Sequence, residues 1–354
     1  VLTLDADGLT AALRASGALA ADARVTAVDA EQVGTGQMGD CRRLALTYDT
    51  EVDAPATIVA KLPSSDETSR ATGTAMRTYE VEVRFYQQLA PHLPVRAPHC
   101  HHAEIDLATG DFVLLLEDLA PAVPGDQVAG CTVDQAALVL EEAARLHAPR
   151  WGDPRLGELE WAVRYSPETR DGLQAMITVL WPNFVERYGE HLDDDVVAMG
   201  HRFVAGIRAY YDHRPEPHTV VHNDFRLDNL LFGTPEGGPP VAVVDWQTVG
   251  VGPALADVSY FLGAGLSVDD RRAHEEELVR GYHRALAAAG VDHEWDRCWA
   301  DYRAFAFSGF HMAVLASMVV ARTDRGDEMF LAMAGRHGRQ VLDLGSEDLL
   351  SAST

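Results

Sequence analysis

The run from Val220 to Phe232, Val-Val-His-Asn-Asp-Phe-Arg-Leu-Asp-Asn-Leu-Leu-Phe, constrains this chain more than any other, together with Val-Ala-Val-Val-Asp-Trp from Val241 to Trp246. Apolar, β-branched ends predict a buried strand, then a polar loop carrying His222, Asp224 and Asn229, then a second short strand. A turn follows, and a third strand delivers Asp245 at its end. The chain has asparagine only at 183, 223 and 229, and it has fifteen histidines. With those counts, His-x-Asp-x-x-x-x-Asn arises by chance in about 1% of such chains. The bland alternative, polar loop residues plus an Asp capping a turn, is weakened further by the strand-borne Asp245.

At 354 residues the chain is long enough for two core-bearing parts. Its 47% apolar and 23% charged content are ordinary for a soluble globular protein. A net charge of −25 argues against nucleic acid or an anionic membrane as partner, since both would be repelled. Cys41, Cys100, Cys131 and Cys298 are scattered and call for neither a disulfide framework nor a zinc site. The first twenty residues carry Asp5 and Asp7 and no basic cluster, and no apolar run reaches about 18–20 residues. The expectation is a cytoplasmic protein. Of the 29 basic residues only one is lysine, Lys61. A lone ammonium among arginines suggests a compact point charge on phosphates, which a guanidinium fork does not replace.

Taken in order, a helix is predicted over 9–16, capped by Asp7 and stopped by Gly17. Strands are predicted over 24–29 and 41–48, and the stretch between them holds Gly34, Gly36 and Gly39, a hairpin whose amides can approach phosphates. A third strand over 56–63 puts Lys61 on the face of Thr57 and Val59, opposite Ile58, Ala60 and Leu62. A helix over 75–89 should supply its carboxylate partner, with Glu82 favoured over Glu80 because it shares a stripe with Tyr79, Tyr86 and Leu89. Pro98-His-Cys-His-His102 looks like a metal cluster, but alternation along a strand sends those side chains to opposite faces. After a strand over 111–119 the apolar period switches from two to 3.6, which sets the boundary between domains 1–119 and 120–354. Helices are predicted over 133–147, 172–188 and 194–208, with a further helix opening at the Gly250–Asp257 stretch and a helical last third. His147 reads as a helix-end residue that packs or caps.

Strands plus one helix, followed by a helical half that holds a metal-binding strand pair, describe a two-lobed nucleotide clamp. Here the chain resembles the aminoglycoside phosphotransferase and choline kinase-like family, with ecdysteroid-kinase-like proteins close by. The resemblance rests on Gly34–Gly39, Lys61, Glu82, Leu115-Leu-Glu-Asp-Leu119, the loop from His222 to Asn229, and Asp245-Trp-Gln247. It covers residues 24–263. It implies an α+β, bilobal, protein-kinase-like fold with a β-rich N-terminal lobe and a mostly helical C-terminal one. It also implies ATP and Mg²⁺. Lys61, oriented by Glu82, would neutralise phosphates; Asn229 and Asp245 would ligate Mg²⁺; Asp224 would accept the proton of the attacking hydroxyl. Arg226 would face the γ-phosphate or simply pack, His222 would brace the loop, and Asp257 would cap the loop amides. Glu117 and Leu119 belong to a connector expected to meet adenine through its backbone. The family's common His-Gly-Asp is His-Asn-Asp here, which matters only if position 223 needs positive φ, a conformation Asn tolerates.

Two rivals stand beside a small-molecule kinase. A protein kinase needs a long activation segment after its metal-binding Asp, and only about a dozen residues separate Asp245 from Asp257. A catalytically inactive nucleotide-binding module would usually have lost one of the ionisable set. The acceptor is expected to be a hydroxyl on a small, partly apolar molecule rather than an aminoglycoside. The aromatics at 181, 184, 188, 299, 302, 305, 307 and 310, with His311, are the candidates for lining its pocket.

Overall fold

A computed structural model describes residues 1–34 and 39–351, and they divide into two compact units. The first comprises Val1–Ala122 and Gly233–Thr248; the second comprises Val123–Phe232 and Val249–Thr354. The fold is the α+β arrangement expected.

The first unit opens with α1 (Ala6–Ala15) and then β1 (Val25–Gln32), β2 (Gly39–Tyr48), β3 (Thr57–Pro63), α2 (Glu67–Ala75), α3 (Thr78–Gln88), β4 (Cys100–Asp106) and β5 (Asp111–Glu117). The five strands form one antiparallel sheet in the order β1-β2-β3-β5-β4. The run Phe-Val-Leu-Leu-Leu in β5 explains its interior place: all five residues are buried, as a strand covered on both faces requires. Leu9 and Leu13 of α1 pack with Leu44, Ile58, Ala60, Val113 and Leu115 in one core cluster. Asp5, not Asp7, caps α1, its Oδ1 accepting from Gly8 N at 2.8 Å. The predicted helix over 75–89 is α3, which begins three residues later, at Thr78, because Arg77 takes φ 59 and separates it from α2.

The second unit contains β6 (Val123–Pro124), α4 (Val133–His147), α5 (Pro167–Tyr188), α6 (Asp194–Asp212), β7 (Thr219–Val221) and β8 (Leu230–Thr234). A full capping box between Thr132 and Gln135 starts α4 where the sequence places it. The acidic run Asp193–Asp195 stands at the start of α6, and the carboxylates of Asp193 and Asp195 both pair with Arg339. From β8 the chain passes to β9 (Gly237–Val243), which groups with the first unit and whose Val243 N donates to Arg96 O at 2.8 Å. It re-enters the second unit in β10 (Gly250–Gly252), paired with β7, and continues as α7 (Leu255–Gly265), α8 (Val268–Ala288), α9 (Trp295–Ala304), α10 (Phe307–Val319) and α11 (Asp324–Leu344). Among the described residues no helix is long and apolar enough to cross a membrane.

Candidate active site

Three of the expected residues meet in the first unit. Lys61 Nζ lies 2.8 Å from Glu82 Oε1, 2.7 Å from Glu82 Oε2 and 2.8 Å from Asp245 Oδ1. Burial works against the ammonium, but Asp245 and Glu82 outweigh it and hold the Lys61 pKa above its ordinary value. The lysine is a fixed positive charge. Burial pushes the Glu82 carboxyl up while Lys61 opposes it. Glu80 is instead on Arg77. One turn on from Glu82 along α3, Phe85 stacks on Trp246 with ring centroids 3.9 Å apart and planes 10° from parallel. Helix α3 thus grips both Lys61 and the turn that carries Asp245, whose φ of 66 is unusual outside glycine. Its Oδ2 accepts from Gln247 Nε2 at 3.1 Å.

Gly39 opens β2 beside this group; a Cβ there would lie 3.0 Å from Leu62 O and 3.6 Å from Lys61 Cε, a tight fit that glycine relieves. Gly34 has φ 73, whereas Gly36 lies outside the described residues. At the end of β5, Glu117 accepts two hydrogen bonds from Arg96, at 2.8 and 2.7 Å, and one from His99 N at 3.0 Å. Its side chain is committed to that corner, and buried Leu119 begins the turn that follows. Among the described residues no three His, Cys, Asp or Glu side chains converge as a metal-holding group, the Pro98–His102 stretch included.

The loop residues gather in the second unit. Asp224 Oδ1 accepts from Tyr260 OH at 3.0 Å and Arg226 Nε at 3.1 Å, and Oδ2 accepts from Asn229 Nδ2 at 2.8 Å. Three donors from three directions fix one carboxylate. Arg226 also pairs with Asp228; burial opposes its charge, but Asp224, Tyr260 and Asp228 hold its pKa above the ordinary value. It packs as part of the loop. His222 is fully buried, and its Nδ1 accepts from Asp224 N at 3.3 Å. Asn223 has φ 65, so the substitution of the family's glycine sits where Asn is among the few tolerated residues.

Asp257 closes the loop from below, its oxygens accepting from His222 N at 2.6 Å and Asn223 N at 2.9 Å. His147 Nε2 is 3.2 Å from Asp257 Oδ2 and its Nδ1 is 2.8 Å from Tyr282 OH. Asp257→Asn is therefore expected to cost about 1–3 kcal/mol, because one buried amide loses its acceptor. Urea unfolding followed by circular dichroism measures it; a loss under a few tenths would contradict this role. Gln127 latches the far side: its Oε1 accepts from Leu227 N at 2.9 Å and its Nε2 donates to Ala264 O at 3.0 Å.

A cavity of about 310 Å³ adjoins the loop within the second unit, with Asn223, Asp257 and Tyr260 in its wall. Of the aromatics singled out from the sequence, Phe305 and His311 line it. Trp181, Phe184, Tyr188, Tyr302, Phe307 and Phe310 are core, at most 5% exposed, and Trp299 stacks between Trp295 and Tyr302. Burial, followed by the charge of Arg214, holds His311 down to about 3, so it is neutral.

The family model described as "Phosphotransferase enzyme family" matches residues 44–300. The chain belongs to the phosphotransferase enzyme family. Among solved structures, this phosphotransferase is similar to a protein from Ralstonia eutropha assigned as an aminoglycoside phosphotransferase, at TM-score 0.54 and 18% identity, covering 95% of this chain and 97% of that one. It is also similar to choline kinase from Cryptosporidium parvum, at TM-score 0.54 and 11% identity over 90% and 89% of the two chains. Ethanolamine kinase of Plasmodium vivax follows, at 0.51 and 10% over 87% and 82%. At such identities these likenesses concern the fold. Two curated relatives match over short stretches: mouse acyl-CoA dehydrogenase family member 10, 49% identical over 13% of this chain, and an uncharacterised kinase-like protein of Caenorhabditis elegans, 36% identical over 19%. The matched stretches span 4% and 18% of those two proteins.

Sequence reasoning did not reach Tyr260, Gln127 or the partners of His147 in this phosphotransferase. Each is more than 30 residues from the group it serves, and only the fold brings them together.

Proposed function

We propose that the chain transfers the γ-phosphate of ATP to a hydroxyl of a small, partly apolar molecule. The observation that carries this reading is the Asp224 carboxylate, held by Tyr260, Arg226 and Asn229 in one orientation. In that role Asp224 accepts the hydroxyl proton as the acceptor oxygen bonds to the γ-phosphorus, the bond to the β,γ-bridging oxygen breaks, and ADP leaves with its electron pair. His222 braces the loop, and Arg226 holds Asp224 in place. Lys61, oriented by Glu82, supplies a point charge for phosphate oxygens, with Gly34, Gly36 and Gly39 offering amides and the Glu117–Leu119 connector meeting the base through its backbone.

Asn229 and Asp245 are the candidates for Mg²⁺. The chemistry of the donors fits a hard cation: Asn229 spends its amide nitrogen on Asp224, turning its oxygen elsewhere, and the Asp245 carboxylate is 29% exposed. Bound Mg²⁺ would neutralise charge on the phosphate oxygens. Domains follow the same proposal, a nucleotide-clamping part over 1–119 and a catalytic, acceptor-binding part over 120–354.

The test is a thermal melt with Mg-ATP. At a hundredfold excess over Kd, binding adds about 2.7 kcal/mol of stability, a rise of several degrees. Asp245→Asn should lose most of the metal-dependent part of that rise. No shift at millimolar Mg-ATP would end the kinase reading.

A further inference from the structure

The cavity beside the catalytic loop reverses the charge of the molecule around it. The chain as a whole carries −25, yet Arg164, Arg170, Arg214 and His218 line this space. Among the described residues that line it, Asp257 is the one carboxylate, and its oxygens are taken by the amides of His222 and Asn223 and by His147. Arg170 is paired with Asp212 at 2.9 Å. Arg164 and Arg214 are different: among the described residues neither has a carboxylate partner. Arg164 donates to the carbonyls of Leu156 and Leu159. Arg214 donates through Nη1 to Tyr210 O at 2.9 Å and His213 O at 2.7 Å.

Arg214 is also caged. Its Cζ lies 4.4 Å from the Tyr165 ring centre, 5.3 Å from that of Tyr210 and 5.9 Å from that of Phe305. Aromatic faces hold a guanidinium without neutralising it, leaving Nε and Nη2 for a ligand. A half-buried cation without a carboxylate is costly in a chain so rich in acids, which points to an anionic ligand as its partner. Apolar walls from Val221, Val251, Phe305 and Met312 complete the space, and Tyr260, which donates to Asp224, ties it to the proposed base.

We propose that this cavity takes the acceptor and that the acceptor is a hydroxylated carboxylate with a partly apolar body. The acid group is bound by Arg214 and Arg164, while the hydroxyl is directed toward Asp224. A cationic amino sugar is excluded by the same inventory, since no lining carboxylate is unspent. The inference rests on the kinase reading above.

The experiment compares acids with their own esters. Full-length protein with Mg-ATP is offered medium-chain hydroxyalkanoates and 3-(hydroxymethyl)benzoate, each beside its methyl ester, with kanamycin and choline as cationic acceptors; ADP release is followed. Acids are expected to exceed their esters in kcat/KM by at least about tenfold, and Arg214→Gln or Arg164→Gln should cut that ratio by about ten- to a hundredfold, mainly through KM. A melt of each variant checks that it is folded. If no acceptor turns over, binding decides: the acids must raise the melting temperature of the wild type and not that of Arg214→Gln. Preference for esters or amines, or a ratio unmoved in both variants, overturns the acid class while Mg-ATP binding keeps the kinase reading. Loss of Mg-ATP binding in the wild type would remove both.

Discussion

Asp224→Asn should lower turnover by about two to four orders of magnitude while leaving Mg-ATP affinity within about threefold. The change is nearly isosteric. An amide at 224 can still accept from Tyr260 or Arg226 through its oxygen, and Arg226 keeps Asp228 as a counter-charge. What disappears is the proposed proton acceptor. The new NH₂ group also faces a donor, because Asn229 Nδ2 now donates to Oδ2 at 2.8 Å. A modest stability loss of about 1–2 kcal/mol should accompany the kinetic one. Turnover within tenfold of wild type, or a parallel loss of nucleotide binding, would remove Asp224 from the chemistry.

Lys61→Met should abolish measurable turnover and also destabilise the first unit by about 3–5 kcal/mol, the usual cost of breaking a buried ion pair from one side. Glu82 is 2% exposed and would be left without its ammonium. Its pKa, already pushed up by burial, then loses the opposing pull of Lys61. The sign follows from linkage: a carboxyl whose folded pKa exceeds its unfolded value takes up a proton on folding. The variant should thus be most stable below the unfolded pKa of about 4.3 and weaken as pH rises through the higher folded value. Adding Glu82→Gln to Lys61→Met should recover stability near neutral pH without recovering activity. Urea melts across pH, with ATP-turnover assays beside them, separate the two losses. A Lys61→Met protein as stable as wild type at neutral pH would mean that Glu82 carries no buried charge.

The residues that sequence could reveal are those whose chemistry is written locally. His222, Asp224, Asn229 and Asp245 stand at short spacings on strand ends, and strand alternation alone separates Lys61 from Ile58 and Ala60, which are fully buried. Asn223 was legible for the same reason, since a positive φ leaves few residue choices. Helix starts were less so. Asp5 and Asp7 are equally good caps by composition, and the geometry of one hydrogen bond to Gly8 decides between them. Arg77 with φ 59 could not be foreseen at all, because arginine has no preference for that conformation. The aromatic stripes misled for a physical reason: ring spacing along a helix is the same whether the rings fill a core or line a cavity. The arginines of the cavity were illegible for the opposite reason. Arg164 and Arg214 lie fifty residues apart, and what marks them is that, among the described residues, neither has a carboxylate partner, a property of tertiary structure.

The chain path through Gly233–Thr248 has a consequence for synthesis on the ribosome. A nascent chain that has emerged as far as Ala122 holds α1, the five-stranded sheet and α3, yet lacks Asp245 and Trp246. Phe85 then has no indole to stack on, and Lys61 has one carboxylate instead of two. The first unit reaches its final packing only after more than a hundred intervening residues have been translated, so the part made first is among the last to be finished.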